Sequence, residues 1–295
     1  MRRKPGVRPT FATEDGRARL YVGDCRTVPG ATRWAGRGRE EYTDGCANLI
    51  IADPPYNIGR DYGEDAPRDD LTTLDYVSFT HDWVRAMMGH LQDQGVMAII
   101  IPDRQVWAVR EAARANCLQQ LNWIIWHYAF GQDRANPRRF RNSKAHVLVF
   151  ARGMTSKDYV FNADRVTVPT ARATTYADRR TQRRAAGNSI EAGRKVMDDV
   201  WKIPRVTGNS RERRPMHDNQ LPELLVEILI EGFSLPGDTV FCPFVGSGTE
   251  GTLALALGRK FVGVEASPEN ARHAWERMTE IGPAWPLGRF RDGKH

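Results

Sequence analysis

Apolar residues along this chain fall into short runs that alternate with stretches of helical spacing. Arg19-Leu20-Tyr21-Val22 predicts a short strand stopping at Gly23-Asp24, and Ala47 to Ala52, carrying Leu49, Ile50 and Ile51, predicts a buried one. Asp53-Pro54-Pro55 ends that second run, because successive prolines cannot extend a central ladder. Val77, Val84, Met87, Met88 and Leu91 recur at three- and four-residue intervals, which predicts a helix over 75–91. Gly95 punctuates, and Val96 to Ile101 reads as a buried strand. Arg104 to Cys117 has helical character, whereas Trp123 to Phe130 and His146 to Phe150 read as strands. Two polar, Gly-containing stretches interrupt the pattern: 33–44 as a surface connection and 60–70 as a mobile loop.

From Arg152 to Arg214 the period disappears, and the stretch reads as an inserted small domain or an arm. Beyond it, Leu221, Leu224, Leu225, Ile228, Leu229 and Phe233 form a helical stripe, with Pro222 tolerable in the first turn. Thr239 to Phe244 predicts a strand, a glycine turn follows, then a helix from Glu250 to Leu257 and a strand from Lys260 to Glu265. Ser267-Pro268 opens a last helix, Ser as cap and Pro in the first position. Strands alternating with helices predict an α/β fold with a mainly parallel sheet covered on both faces. The natural divisions are 1–150, 151–215 and 216–295.

Charge sharpens this division. The chain of 295 residues has 43 Lys plus Arg against 36 Asp plus Glu, yet the excess is confined to one segment. Between Asp133 and Arg214 there are 20 basic and 8 acidic residues; the remainder has 23 basic and 28 acidic. A basic stretch inside an acidic chain points to a polyanion, most commonly nucleic acid. Arg138, Arg139, Arg141 and Lys144, with Arg179, Arg180, Arg183, Arg184, Arg211, Arg213 and Arg214, are the candidate phosphate contacts. No apolar run approaches the roughly 20 residues of a membrane helix, so no membrane partner is expected. Cys25, Cys46, Cys117 and Cys242 are widely spaced, which argues against a metal site or disulfides and for a cytoplasmic protein. Trp123 and Trp126, three apart in an apolar run, read as packing residues.

Two motifs carry chemistry. Gly246-Ser247-Gly248-Thr249-Glu250-Gly251 follows a predicted strand and opens a predicted helix, and Glu265 ends the next strand. Glycines there let the backbone bend and let a ligand approach, while the acid can accept from ribose hydroxyls. Only 30 residues follow Glu265, so the other half of a nucleotide-binding sheet must come from the N-terminal part. Asp53-Pro54-Pro55-Tyr56 then ends a strand at the edge where ligands bind in open α/β sheets. The Asp53 carboxylate and the Pro54 carbonyl can each accept one hydrogen of an exocyclic amino group, Tyr56 can stack on its ring, and the two prolines stiffen the turn.

The pair resembles the S-adenosylmethionine-dependent DNA amino-methyltransferases in the permuted order called the β group, over most of the chain from Leu20 to about Arg277. Asp53-Pro54-Pro55-Tyr56-Asn57 and the run from Pro243 to Thr249 carry the likeness, with Gly258 to Glu265 beside them. The resemblance implies a Rossmann-like, circularly permuted class I methyltransferase sheet with an inserted basic target-recognition region. It implies S-adenosylmethionine as cofactor, double-stranded DNA as partner, no metal, and methylation of the restriction-modification kind; it leaves a homodimer open. Asp53 to Tyr56 (Asp53, Pro54, Pro55, Tyr56) would be catalytic, and Asp24, Cys25, Gln220, Phe244, Gly246, Ser247, Gly248, Thr249 and Glu265 would hold the cofactor, Asp24 accepting from its adenine. Asp at the first tetrapeptide position is commoner in adenine-N6 enzymes, and Ser is usual in cytosine-N4 enzymes. Two positions depart from the pattern. Cys242 stands where the family usually carries an Asp that helps hold the amino end of the cofactor's methionine, and His217-Asp218-Asn219-Gln220-Leu221-Pro222 replaces the usual His-Pro-Thr-Gln-Lys-Pro. Asp218 is then a candidate to take over the ammonium contact. A cytosine-N4 enzyme, a DNA-binding protein without activity and a dinucleotide-dependent oxidoreductase are the alternatives.

Overall fold

Side chains of the central strands point alternately to the two faces of the sheet, and this alternation sorts the core into two layers. The computed structural model describes residues 8–27, 46–60, 69–132, 138, 140–152, 158–170, 190–191, 193–215, 217 and 219–292. In chain order its elements are β1 (Phe11–Ala12), β2 (Ala18–Val22), β3 (Ala47–Ala52), α1 (Thr73–His90), β4 (Leu91–Ile101), α2 (Val106–Ala115), β5 (Leu118–Gln132), β6 (Asn142–Arg152), β7 (Thr167–Pro169), β8 (Arg194–Val196), β9 (Val200–Lys202), α3 (Glu223–Phe233), β10 (Thr239–Cys242), α4 (Thr249–Ala256), β11 (Lys260–Glu265) and α5 (Pro268–Glu276). Leu49 and Ile51 of β3 join a core layer with α3, α4 and α5, while Ile50 and Ala52 join the opposite layer with α1 and α2. A strand buried on both faces is apolar at nearly every position, which is why 47–52, half-buried Asn48 apart, shows no alternation in sequence.

One sheet runs β1-β2-β11-β10-β3-β4-β6-β5-β9. The five strands from β2 to β4 pair parallel, as expected. Beyond β4 the mainly parallel sheet takes an antiparallel part: β6 pairs antiparallel with β4 and with β5. Side-chain caps open two of the helices. Thr72 accepts from the Asp75 amide at the head of α1, and Ser267, as expected, accepts from the Asn270 amide at the head of α5.

The patternless middle segment also forms structure. β7 and β8 make a two-stranded sheet, and β9 joins the main sheet beside β5. Val166, Trp201 and Ile203 share the layer that holds α3, and Trp126 donates its indole N–H to the Ile203 carbonyl at 2.8 Å. These strands of three residues are too short for a period to register, and long-range contacts hold them. The expected surface connection over 33–44 and most of the 60–70 loop lie outside the described residues.

Helix α3 is buried on every side, although its sequence has a polar edge. Glu223, Glu227 and Glu231 lie on that edge, one turn apart and all buried. Arg277 and the Ala284 amide engage Glu223, and the Gly288 amide engages Glu227. Glu231 meets Arg259 at 3.3 Å, Arg165 at 3.1 Å and Arg291 at 3.4 Å. Arg259, 1% exposed, also donates to the carbonyls of Ser234 and Leu257, each at 2.7 Å. Removing the charge from one side of such a cluster leaves desolvated acceptors behind. Arg259→Met is expected to cost about 3 kcal/mol of unfolding free energy in urea titration, and a loss below about 1 kcal/mol would show that Arg165 and Arg291 suffice.

Candidate active site

The C-terminal ends of β2, β11, β10 and β3 lie side by side, because those strands pair in parallel. From β10 the chain passes to α4 in one layer, and from β3 to α1 in the other. Adjacent strands whose helices leave to opposite faces open a cleft between them, the usual ligand position in such sheets. Here it is a cavity of about 540 Å³. Asp24, Cys25, Asp53, Pro54, Pro55, Tyr56, Phe244, Gly246, Ser247 and Glu265 all line it, so both motifs meet at one place. Arg60, Phe79, Glu269 and Asn270 line it too, without having stood out in the sequence, and so do His217, Asn219 and Glu250, which lay inside quoted motifs without a role of their own.

The glycine turn is held from beneath. Gly246 and Gly248 have φ of +48° and +76°, a region that other residues rarely adopt. A Cβ on Gly248 would also lie 3.0 Å from the Ala274 backbone, so α5 packs directly on the turn. Arg277, 2% exposed, donates to the Ser247 carbonyl at 3.1 Å, the Thr249 hydroxyl at 2.7 Å and Glu223 at 2.8 Å. Glu265 accepts from the Gly246 amide at 2.8 Å and the Ser267 amide at 3.0 Å, tying the strand end to the turn. Gly248 and Thr249 thus lie behind the cavity rather than on its wall. Gln220 needs the same correction: it is buried, its oxygen accepts from the Arg214 amide at 2.9 Å and its nitrogen donates to the Glu212 carbonyl at 2.6 Å. Both polar atoms brace a loop, and the side chain lines the second cavity described below instead of this one.

The tetrapeptide is clamped more firmly than its prolines alone require. Tyr56 donates its hydroxyl to Asp53, Gln105 donates to the Tyr56 carbonyl at 2.5 Å, and Tyr76 donates to the Pro55 carbonyl at 3.2 Å. Asn57, at φ +54°, donates to the Leu71 carbonyl at 2.9 Å and accepts from the Leu71 amide at 2.6 Å. Buried Asp69 accepts from the amides of Asn57, Ile58 and Arg60 at 2.6, 3.1 and 3.0 Å. Asp69, Tyr76 and Gln105 carry no motif, and their part in the site arises only through folding.

Charge in the cavity is strongly one-sided. Burial pushes the Asp53 carboxyl up to about 7 despite the Tyr56 hydrogen bond. Burial also lifts Glu250 to about 8, against the pull of its own amide, of Arg277 and of the Cys242 thiol. Glu265 is raised for the same reason. Cys25 is pushed up to about 12 and Cys242 well above the usual thiol range, so both stay neutral. Asp24 differs: burial pulls it up, but Arg26, held in a bidentate pair with a shortest contact of 2.6 Å, outweighs that and keeps it below the ordinary carboxylate value. The acceptor expected for adenine is thus already engaged by a guanidinium, which stacks 5.2 Å from the Phe79 ring.

Of the candidate phosphate contacts, Arg138, Arg141 and Arg211 are exposed, while Lys144 pairs with Asp103 at 2.6 Å. Arg141 and Lys144 line a second cavity of about 740 Å³, which also touches Asp53 and Tyr56. Arg213 is half-buried; half-buried Arg214 is turned inward, its charge reaching buried Arg277. Arg139, Arg179, Arg180, Arg183 and Arg184 lie outside the described residues, as does Asp218. Of the two tryptophans, Trp126 is packed as expected, whereas Trp123 is 37% exposed under the Arg110 guanidinium.

Residues 47–276 match the family model described as DNA methylase, of the N6/N4 type. The chain belongs to the N6/N4 DNA methylase family. The type II methyltransferase M.HpaI from Haemophilus parainfluenzae is 31% identical over 232 residues, 78% of this chain and 68% of that protein. Among solved structures, the cytosine-N4-specific PvuII DNA methyltransferase has a TM-score of 0.64 at 14% identity, covering 94% of this chain and 90% of that one. TTHA0409 of Thermus thermophilus, complexed with S-adenosyl-L-methionine, has 0.57 at 22%, covering 92% and 96%. The complex of M1.HpyAVI with SAM has 0.54 at 20%, covering 80% and 90%. At these identities the structures establish the fold, that of class I methyltransferases.

This N6/N4 methylase uses S-adenosylmethionine, and its cavity suits that molecule chemically. The ligand carries a sulfonium and an ammonium, and the wall presents Asp24, Asp53, Glu250, Glu265 and Glu269 against Arg60 and His217. Phe79 and Phe244 supply an aromatic surface, their centroids 6.4 Å apart. Among the described residues no acidic, His or Cys cluster could hold a metal ion, and no helix is long and apolar enough to cross a membrane.

Holding Asp53 and Glu250 in a dry site costs stability at high pH. Both are more protonated folded than unfolded between the ordinary carboxylate range and about 7 and 8, so stability falls as pH rises through that window. Asp53→Asn is therefore expected to raise the thermal midpoint at about pH 8 and to leave it unchanged at about pH 4. Differential scanning fluorimetry reads this, and an equal shift at both pH values would mean that Asp53 ionises freely in the fold. Asp69→Ala, which strands three amides of the clamp, is expected to slow methyl transfer at least about tenfold at saturating substrates by loosening Asp53 and Tyr56.

Proposed function

We propose that this DNA methyltransferase is site-specific and modifies the exocyclic N6 amino group of adenine. The observation that carries the reading is that two cavities, of about 540 and 740 Å³, meet at Asp53 and Tyr56. One suits the methyl donor, and the other opens past Arg141 and Lys144 to the exposed side of the β5–β6 hairpin. A base shut inside the duplex must be flipped out to be modified, at a cost of a few kcal/mol of unstacking. The second cavity is the receptacle for that base, with Tyr56 beneath its ring and the Asp53 carboxylate and Pro54 carbonyl accepting from its amino group. The amino hydrogens replace the Tyr56 hydroxyl as donor to Asp53.

Conjugation with the ring ties up the amino nitrogen's lone pair. Acceptors on both N–H bonds favour a pyramidal nitrogen and free the pair for attack. S-adenosylmethionine supplies a methyl group activated by its sulfonium charge. The protein's share is alignment and electrostatics, worth several kcal/mol when the partners are held in line. Asp53 need not deprotonate the amine beforehand, since the nitrogen sheds a proton once it becomes cationic. Arg138, Arg141 and Arg211, with the basic residues of 151–215, grip phosphates, and 151–215 serves as the target-recognition region. Cytosine-N4 methylation is the second reading, favoured by the likeness in fold to a cytosine-N4-specific enzyme.

Asp53→Ala is expected to abolish labelled-methyl transfer to mixed-sequence DNA while leaving DNA retention within about threefold of wild type; robust turnover by that variant overturns the mechanism. Digestion of product DNA should release N6-methyladenine, whereas N4-methylcytosine would establish the second reading. Because Asp53 is the stronger acceptor as a carboxylate, kcat/KM for DNA at saturating S-adenosylmethionine should rise with pH and level off above about 7. A profile flat from about pH 5 to 9 would remove Asp53 from that role. Arg141→Ala should weaken DNA binding for all sequences alike and reduce the slope of log K against log salt by about 1.

A further inference from the structure

Glu250 is a buried acid on the cofactor cavity to which neither motif gives a role. It sits in the first turn of α4, 3% exposed, and lines the cavity. Cys242 of β10 is its hydrogen-bonding neighbour, and Asp53 at the end of β3 is close enough to repel it. Arg277 is the cation whose charge reaches it, but both Arg277 terminal nitrogens are committed elsewhere, to the Ser247–Thr249 turn and to Glu223. His217 and Glu265 face the same cavity from other elements. A carboxyl so placed is expensive to ionise without a cation opposite it, and among the described residues no cation pairs with it.

We propose that Glu250 is the residue that receives the ammonium of the cofactor's methionine, and that binding there drives its proton out. The inference rests on the assignment of this cavity to S-adenosylmethionine. Behind the cavity wall, at the end of β10, stands an uncharged, fully buried thiol, so the acid of this region is carried by the following helix and not by the strand. The first turn of α4 favours the ionised form through its free amides, and the arriving ammonium supplies the missing countercharge. The carboxyl is raised to about 8 without the ligand, so its proton is present at neutral pH and goes to solvent when the ammonium arrives.

Calorimetric titration with S-adenosylhomocysteine, which keeps the ammonium and lacks the sulfonium, tests this directly. Asp53→Asn is the parent protein, because Asp53 titrates in the same window. The parent should bind about tenfold or more tighter at pH 8 than at pH 6. Adding Glu250→Gln should weaken binding at pH 8 by about tenfold or more and remove most of that pH dependence, any residual slope belonging to His217 or Glu265. Methylthioadenosine, which has no amino-acid tail, should bind with and without the second substitution equally. Restored affinity in the further variant carrying Cys242→Asp would support the same subsite. Should Glu250→Gln fail to fold, titration of the parent near pH 7 in phosphate and in Tris should still reveal net proton release on binding, since burial, the main cause of the raised Glu250 carboxyl, is kept without the Asp53 charge. Unchanged homocysteine-ligand affinity in the Gln variant, or no proton release by the parent, overturns the proposal. If wild-type protein binds neither ligand, it is the cavity assignment that fails, and this inference with it.

Discussion

The site depends on the parallel pairing of β3 with β10, two strands buried on both faces whose following helices leave to opposite layers. Parallel pairing aligns their carboxyl ends, and the divergence of α1 and α4 leaves the cleft above those ends uncovered. Tetrapeptide and glycine turn, 190 positions apart in the chain, are thereby brought together without either having to reach for the other. Turning one of these strands around would carry its motif to the far edge of the sheet.

The same arrangement explains the unusual electrostatics. Strand ends and the helix turn above them emerge from an apolar core and carry their acids in a poorly solvated place, so Asp53, Glu250 and Glu265 are all raised. Elsewhere the fold compensates its buried acids: Glu223 has Arg277, and Glu231 has three arginines. Asp24 has Arg26. Among the described residues, Asp53, Glu250 and Glu265 have no such ion pair, and the imbalance suits a ligand bearing two positive centres. Stability is given up where binding and catalysis use it.

In the proposed reading the antiparallel half of the sheet serves the other substrate. Tyr128 from β5 and Lys144 from β6 reach the second cavity, joined by Arg205 from the segment after β9. A hairpin projecting from the edge of a rigid parallel sheet can present cations to a duplex while Asp53 and Tyr56 stay clamped at its root. Division of labour between a rigid catalytic edge and a basic, locally held middle segment matches the confinement of the chain's positive excess to 133–214.

Much of this was legible in the sequence because it is local. The apolar run of 47–52, the helical stripe of 221–233, the cap at Ser267 and the positive-φ glycines of 246–248 each act within a few residues. Their order predicted the α/β class and the meeting of the two motifs, and the basic segment predicted an anionic partner. What the sequence could not carry depends on residues far apart. The antiparallel hairpin of 118–152, the strands hidden in the middle segment and the burial of the α3 glutamates beneath the C-terminal turns are decided by packing alone. So are the diversion of Gln220 to a structural brace, the capture of Asp24 by Arg26 and the placing of Glu250 beside Cys242 and Asp53. Periodicity records which face of an element is buried; which charge then lies opposite which is set by the tertiary fold.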